Sequence, residues 1–389
     1  MNGAGSLPDP DPAALERSAE LAALIRAEIT AAAGAIGFDR YMEMALYQPG
    51  LGYYAAGETI FGGSGDFVTA PESGTLFARC MQRQCAEILS HGGTRIVEYG
   101  AGSGRLAALL GQALLADEPR LSYHLVEPSA SLRARQRALL AAQTTIAPAR
   151  LSWSETHPDD AFSGVVLANE VVDAMPARRY QVSGGSVQEL GVGIDGEHFV
   201  WRVLPGRAVP GELAAALRGY PDGYRCERHP GLRDWCRALR GKLCSGVVLI
   251  SDYGYACHEY LHPDRSDGTL KCHYRHHVHA DPFFLPGVQD LTVAVDFTDL
   301  AEAAHAAGFR VAGFTTQARF LLACGIDAIL AEAGAALDVY ELAQEAKRLL
   351  LPGEMGQTCK FMALAVDYDA PLSGFAADER HRLGGFASD

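Results

Sequence analysis

Apolar residues recur at helical spacing from Ala14 to Ala33, "ALERSAELAALIRAEITAAA", and that 3.6-residue period predicts an amphipathic helix. The same spacing returns in "TLFARCMQRQCAEIL" (75–89). Between them "IGFDRYMEMALYQPGLGYYAAGETIFGGSGDFVTAPE" (36–72) has no clear period and is rich in Tyr, Phe and Gly. A long aperiodic stretch with so many aromatics points to a functional loop rather than disorder. From Arg95 onward, short apolar runs alternate with helical ones, the pattern of a parallel α/β sheet. Strands are predicted at Arg95–Tyr99, Ser122–Glu127, Arg150–Trp153, Gly164–Ala168 and Gly246–Tyr255, with helices at about Ser103–Ala116 and Ser129–Ala142. From Arg178 to Pro205, β-type runs broken by glycine pairs predict an inserted hairpin unit. Residues 256–289 are rich in His and Pro and are expected to be a long loop. A helix near Phe297–Ala307, a strand at Arg310–Thr315, a helical insertion to about Leu351 and a last strand, "CKFMALAVDY", follow. The expected organisation is a disordered tail (1–13), a helical and lid segment (14–94), one α/β domain (95–368) with insertions at 178–240 and 317–352, and a C-terminal tail (369–389).

Composition narrows the class. The 389 residues are 48% hydrophobic and 21% charged, values of a globular chain with ample core. No apolar run approaches the ~18 residues of a membrane span. The start, "MNGAGSLPDPDP", lacks the basic and apolar segments of a signal peptide and is too acidic for a transit peptide. Nine cysteines without a Cys-x-x-Cys pair suit a reducing compartment, so a cytoplasmic, bacterial setting is expected. A net charge of −14 argues against a nucleic-acid partner and permits a basic one.

Candidate chemistry centres on "VEYGAGSG" (97–104), a strand, a glycine turn and a helix start. Such a turn lets a ligand approach bare backbone N–H groups. A dinucleotide turn needs Gly-x-Gly-x-x-Gly. Here the glycines are Gly100, Gly102 and Gly104, Arg105 holds the position of the third one, and Glu98 would repel a pyrophosphate. A ligand with an ammonium or sulfonium group and no phosphate removes that conflict. S-adenosylmethionine is such a ligand, and Glu127, at the end of the next strand, suits its ribose hydroxyls. The cofactor-binding candidates are therefore Glu98, Gly100, Gly102, Gly104 and Glu127.

With these residues in view, the sequence resembles the MidA-type methyltransferases over roughly Ile36–Tyr368. The shared blocks include "YMEMALYQPGLGYY" (41–54), "GDFVTAPE" (65–72), "EYGAGSGRLA" (98–107), "NEVVDAMP" (169–176), "LISDYG" (249–254) and "GTLKCHYRHHVHADPF" (268–283). The resemblance implies the seven-stranded, Rossmann-like class I methyltransferase sheet with an antiparallel last strand. It also implies protein-arginine methylation of the kind that assists respiratory complex I assembly, and contact of Asp66 and Thr69 with the donor. "NEVVDAMP" follows an apolar strand, so Asn169, Glu170 and Asp173 are expected at the carboxyl edge of the sheet. Carboxylates there can grip a guanidinium through paired N–H bonds, with Glu170 and Asp173 leading and Asn169 auxiliary. Asp173 alone could instead cap a following helix.

Residues 257–281 hold Cys257, His258, His262, Cys272, His273, His276, His277 and His279, but without zinc spacing, and no metal is expected. Rival readings are a methyltransferase for a small nitrogen or oxygen nucleophile, a non-catalytic assembly factor keeping the donor fold, and, last, an NAD oxidoreductase.

Overall fold

The structure, a computed structural model, describes residues 7–56, 69–116, 118–333 and 339–384. It divides into two compact units. One comprises Val68–Asp173, Leu232–Cys257 and Val295–Asp389; the other comprises Met1–Phe67, Ala174–Gly231 and His258–Ala294.

The first unit is built on a sheet of β1 (Arg95–Tyr99), β2 (Ser122–Val126), β3 (Leu151–Ser154), β4 (Phe162–Asn169), β5 (Leu243–Tyr255), β6 (Arg310–Thr316) and β7 (Cys359–Val366). Their order is β6-β7-β5-β4-β1-β2-β3. Neighbours from β5 to β3 are parallel, and β7 runs antiparallel to both β5 and β6. The mostly parallel sheet and the antiparallel last strand expected from the sequence are therefore present. Two residues, Val295–Asp296, add a short eighth strand beside Gly254–Tyr255. The central strands read as near-continuous apolar runs ("GVVLAN", "GVVLIS") because both their faces are buried. Val165, Val166, Val247, Val248 and Ile250 are all wholly buried, each such side chain stabilising by about 1.5–3 kcal/mol. The predicted helical insertion is three helices, Gln317–Ala323, Ile326–Ala333 and Val339–Leu350. From the last of these Glu345 reaches the first turn of helix Leu76–Leu89, where its Oε1 accepts the Leu76 N–H at 2.6 Å. That bond satisfies a helix-end donor that the local sequence leaves without a cap.

The second unit holds a five-stranded antiparallel sheet. Strand Ser186–Asp195 pairs with Ala35–Gly37, Arg178–Ser183 and His198–Val203, and Arg225–Arg228 pairs with Arg178–Ser183. Phe38, Tyr41, Phe199, Trp201 and Phe283 pack against one another in its core with tilted and edge-to-face ring contacts.

Two expectations fail here. Helix Pro12–Ala31 begins inside the stretch read as a disordered tail, because Asp11 caps it by accepting the Ala14 N–H at 2.9 Å, with proline in the first turn. The His-rich stretch read as a loop (256–289) contains two strands, Leu270–Tyr274 and His277–His279, which form a three-stranded antiparallel sheet with Asp290–Val293 just beyond it. Its strands are only five, three and four residues long, too short for their alternation to show.

Candidate active site

Strand register assembles the site. Tyr99 of β1 lies opposite Ala168 of β4, and Ser251 of β5 lies opposite Asn169. Side chains alternate across a sheet, so Glu98, Asn169, Ser251 and Tyr253 share one face at the carboxyl ends of the strands.

Beyond β1 the chain turns through Gly100, Gly102 and Gly104, with φ of +61°, +53° and +87°. Gly104 then starts helix Arg105–Leu115. A left-handed backbone is costly for any residue with a Cβ. At Gly100 a Cβ would also stand 3.0 Å from Cγ2 of Val171, and at Gly104 it would stand 3.2 Å from Cγ of Gln136. The glycine turn therefore abuts the turn that follows β4.

Glu98 is buried, and its Oε2 accepts the Tyr123 hydroxyl at 2.6 Å. Burial pushes its carboxyl up to about 7, against the pull of that hydrogen bond. Glu127 is also buried and also pushed up to about 7 by desolvation. The Ser129 N–H (2.9 Å) and the Gln136 amide (3.3 Å) donate to it and pull the other way.

Thr69 is buried just before the short turn Ala70–Glu72, which belongs to the same unit as the glycines. Its carbonyl accepts the N–H groups of Glu72 and Ser73. Asp66 lies outside the described residues.

After β4 the backbone turns at Glu170, a non-glycine residue with φ of +51°. The Glu170 N–H donates to the Ser251 carbonyl at 2.8 Å. Asn169 Nδ2 donates to Glu170 Oε1 at 3.3 Å, while Asn169 Oδ1 is buried with no hydrogen-bond partner. Such an acceptor fits an N–H donor of a bound molecule. Asp173 is 5% exposed, and no helix follows it, so it is not the cap that its residue type allowed.

The comparisons agree with this geometry. Residues 76–315 match the family described as "Putative S-adenosyl-L-methionine-dependent methyltransferase". The chain belongs to that family. A Burkholderia thailandensis protein solved bound to S-adenosyl-homocysteine, and described as a candidate methyl transferase, superposes with a TM-score of 0.91 at 43% identity. The match covers 97% of this chain and 100% of that one. The curated relatives include the Drosophila melanogaster protein arginine methyltransferase NDUFAF7 homolog, mitochondrial, at 29% identity over 404 residues, covering 92% of this chain and 88% of the relative. The human protein arginine methyltransferase NDUFAF7 is 27% identical over 367 residues, covering 85% and 80%. The fold is the class I methyltransferase fold, and S-adenosylmethionine is the cofactor.

The surroundings of the two turns also include residues that the sequence did not single out. Gln136 is fully buried; its amide donates to the Gly102 carbonyl at 3.0 Å and to Glu127, while its carbonyl accepts from Trp153 Nε1 at 3.1 Å. It joins the glycine turn to the carboxylate at the end of β2. Arg105, noted only as a missing glycine, donates to the carbonyls of Pro71 (3.0 Å) and Gly74 (3.4 Å). Ser103 donates to Glu72. Together they hold the 70–74 segment against the turn. Tyr253 is packed near the acidic turn: burial, then the charges of Glu170, Cys359 and Asp173, push its phenol well above the ordinary value. Among the described residues no cluster of three or more His, Cys, Asp or Glu could hold a metal, and no helix is long and apolar enough to cross a membrane.

Proposed function

We propose that this methyltransferase transfers its methyl group to an arginine guanidinium presented by another protein. The reading rests on the contact between the two turns. Because Gly100 abuts Val171, a donor cradled by residues 100–104 lies beside Asn169, Glu170 and Asp173. The relatives named protein arginine methyltransferases supply the acceptor class. The net charge of −14 suits approach of a basic segment. From the family resemblance of the sequence, the bacterial counterpart of a complex I core subunit is the first acceptor to test.

S-adenosylmethionine supplies a methyl group on a sulfonium, ready for in-line displacement. In this proposal Gly100, Gly102 and Gly104 leave room for the ligand against bare backbone. Glu127 accepts hydrogen bonds from the ribose hydroxyls, and Glu98 provides negative charge below the turn. Thr69, next to the segment pinned by Arg105, closes the donor side. Glu170 and Asp173 accept guanidinium N–H bonds, and Asn169 Oδ1 accepts another. Gripping a group whose pKa exceeds ~12 fixes which nitrogen faces the methyl. As the N–C bond forms and the S–C bond breaks, the proton of that nitrogen passes to Glu170. Most of the rate then comes from orientation.

The test is to incubate purified enzyme and methyl-labelled donor with a bacterial lysate lacking the enzyme, then hydrolyse the labelled protein. Label on methylarginine is expected. Label confined to lysine, carboxylates or small molecules would overturn arginine as the acceptor and leave the donor site standing.

A further inference from the structure

Asp252 is a fully buried carboxylate on β5 that no step above uses. Alternation along the strand puts it on the opposite face from Ser251 and Tyr253. Its Oδ2 accepts three successive backbone N–H groups, from Val171 (3.2 Å), Val172 (2.8 Å) and Asp173 (3.2 Å). Its Oδ1 accepts the Tyr253 N–H at 2.8 Å. Burial pushes the carboxyl up to about 7, against the pull of the four N–H donors.

Three consecutive N–H groups can converge on one oxygen only if the chain wraps around it. The wrap begins at Glu170, whose φ of +51° is a conformation that a residue with a Cβ leaves unless its surroundings hold it. Nothing in the "NEVVD" sequence itself favours that turn, since it lacks glycine.

We propose that Asp252 is a positioning residue for methyl transfer: by gathering the N–H groups of Val171, Val172 and Asp173, it fixes the left-handed turn that aims Glu170 and Asn169 at the donor. The proposal rests on the reading of Glu170 as an acceptor-binding group. It assigns Asp252 an action through the backbone, without contact with donor or acceptor. It also explains why a carboxylate is needed. In Asp252→Asn, either orientation of the amide turns an NH2 toward backbone N–H donors, so the cradle cannot be satisfied.

The experiment compares Asp252→Asn, Glu170→Gln and the double variant in labelled transfer to the lysate at varied S-adenosylmethionine. S-adenosylhomocysteine affinity is measured by calorimetry on the same preparations. For Asp252→Asn, maximal rate should fall by ~100-fold or more, while the KM for the donor and the S-adenosylhomocysteine affinity stay within about threefold. The double variant should be scarcely slower than Glu170→Gln alone, because the two residues act as one unit. Losses that multiply, or a donor affinity that falls along with the rate, would overturn the positioning role. If Asp252→Asn does not fold, Asp252→Ser, which keeps an acceptor oxygen, is put through the same cycle. Full transfer by Glu170→Gln would instead sink the reading of Glu170. Loss there with none in either Asp252 variant would sink only the present inference.

Discussion

The two turns at the carboxyl edge of the sheet do the same geometric work by different means. After β1 the backbone goes left-handed at Gly100, Gly102 and Gly104; after β4 it does so at Glu170. The first turn takes its conformation from residues that lack a Cβ. The second takes it from a buried carboxylate on a neighbouring strand. The difference follows from what each turn must present. A cofactor cradle has to bring backbone close to a ligand, so it discards side chains. In the proposed function the second turn has to carry carboxylates, so it keeps them and obtains its shape from a residue about 80 positions away in the chain.

The comparison can be broken most sharply at Glu170. In Glu170→Gln, transfer should fall by roughly 1000-fold, while S-adenosylhomocysteine affinity changes by less than about threefold. A parallel loss of donor affinity would mean that the two turns are not functionally separate. Next in size, Glu127→Ala should weaken S-adenosylhomocysteine binding by about 1–3 kcal/mol in calorimetry, with NAD giving no comparable signal. Gln136→Leu removes the bridge from Gly102 to Glu127 and leaves Trp153 Nε1 without its acceptor. A loss of about 1–3 kcal/mol in denaturant stability is expected, with a smaller loss of donor affinity. An unchanged midpoint would show that the glycine turn holds itself.

The smallest effect is on pH. Glu98 and Glu127 have folded-state values of about 7 against 4.5 for the ordinary carboxyl. Between those values the native protein binds more protons than the unfolded chain, so their contribution to apo stability falls as pH rises from about 4.5 to 7 and is flat above. A cationic donor favours the ionised carboxylates, so S-adenosylmethionine affinity should rise several-fold from pH 5.5 to 8, with proton release. Glu127→Gln should flatten part of that rise. Affinity independent of pH in the wild type would mean that these carboxyls do not face the donor.

The same contrast explains what could be read in the sequence. The glycine turn, Glu98 and the alternation of strands and helices are local, written within a few residues, and the structure has them where the spacing puts them. Glu127, 23 residues beyond Gly104 in the sequence, was reachable because it ends the very next strand. Gln136, Arg105 and Asp252 were not recognisable as site residues, because their roles depend on partners 34, 34 and 80 positions away. No periodicity records such pairings. Asp252 was visible only as one letter of "LISDYG". The strands within the His-rich stretch were hidden for a different reason: segments of three to five residues are shorter than the window that detects alternation.

The strand order also sets a schedule for synthesis. β6 is made before β7, yet it joins the sheet only through β7, which inserts between β6 and β5. Likewise Ala35–Gly37 has to wait for its partner residues Gly191–Gly193 to be translated. A nascent chain leaving the ribosome therefore carries unpaired strand edges until residues 359–366 have emerged, and such edges invite pairing with other chains. A stop codon that removes residues 359–366 should then be as damaging as one within β5. Ribosome-bound chains halted just before Cys359 should be far more dependent on chaperones than the released protein.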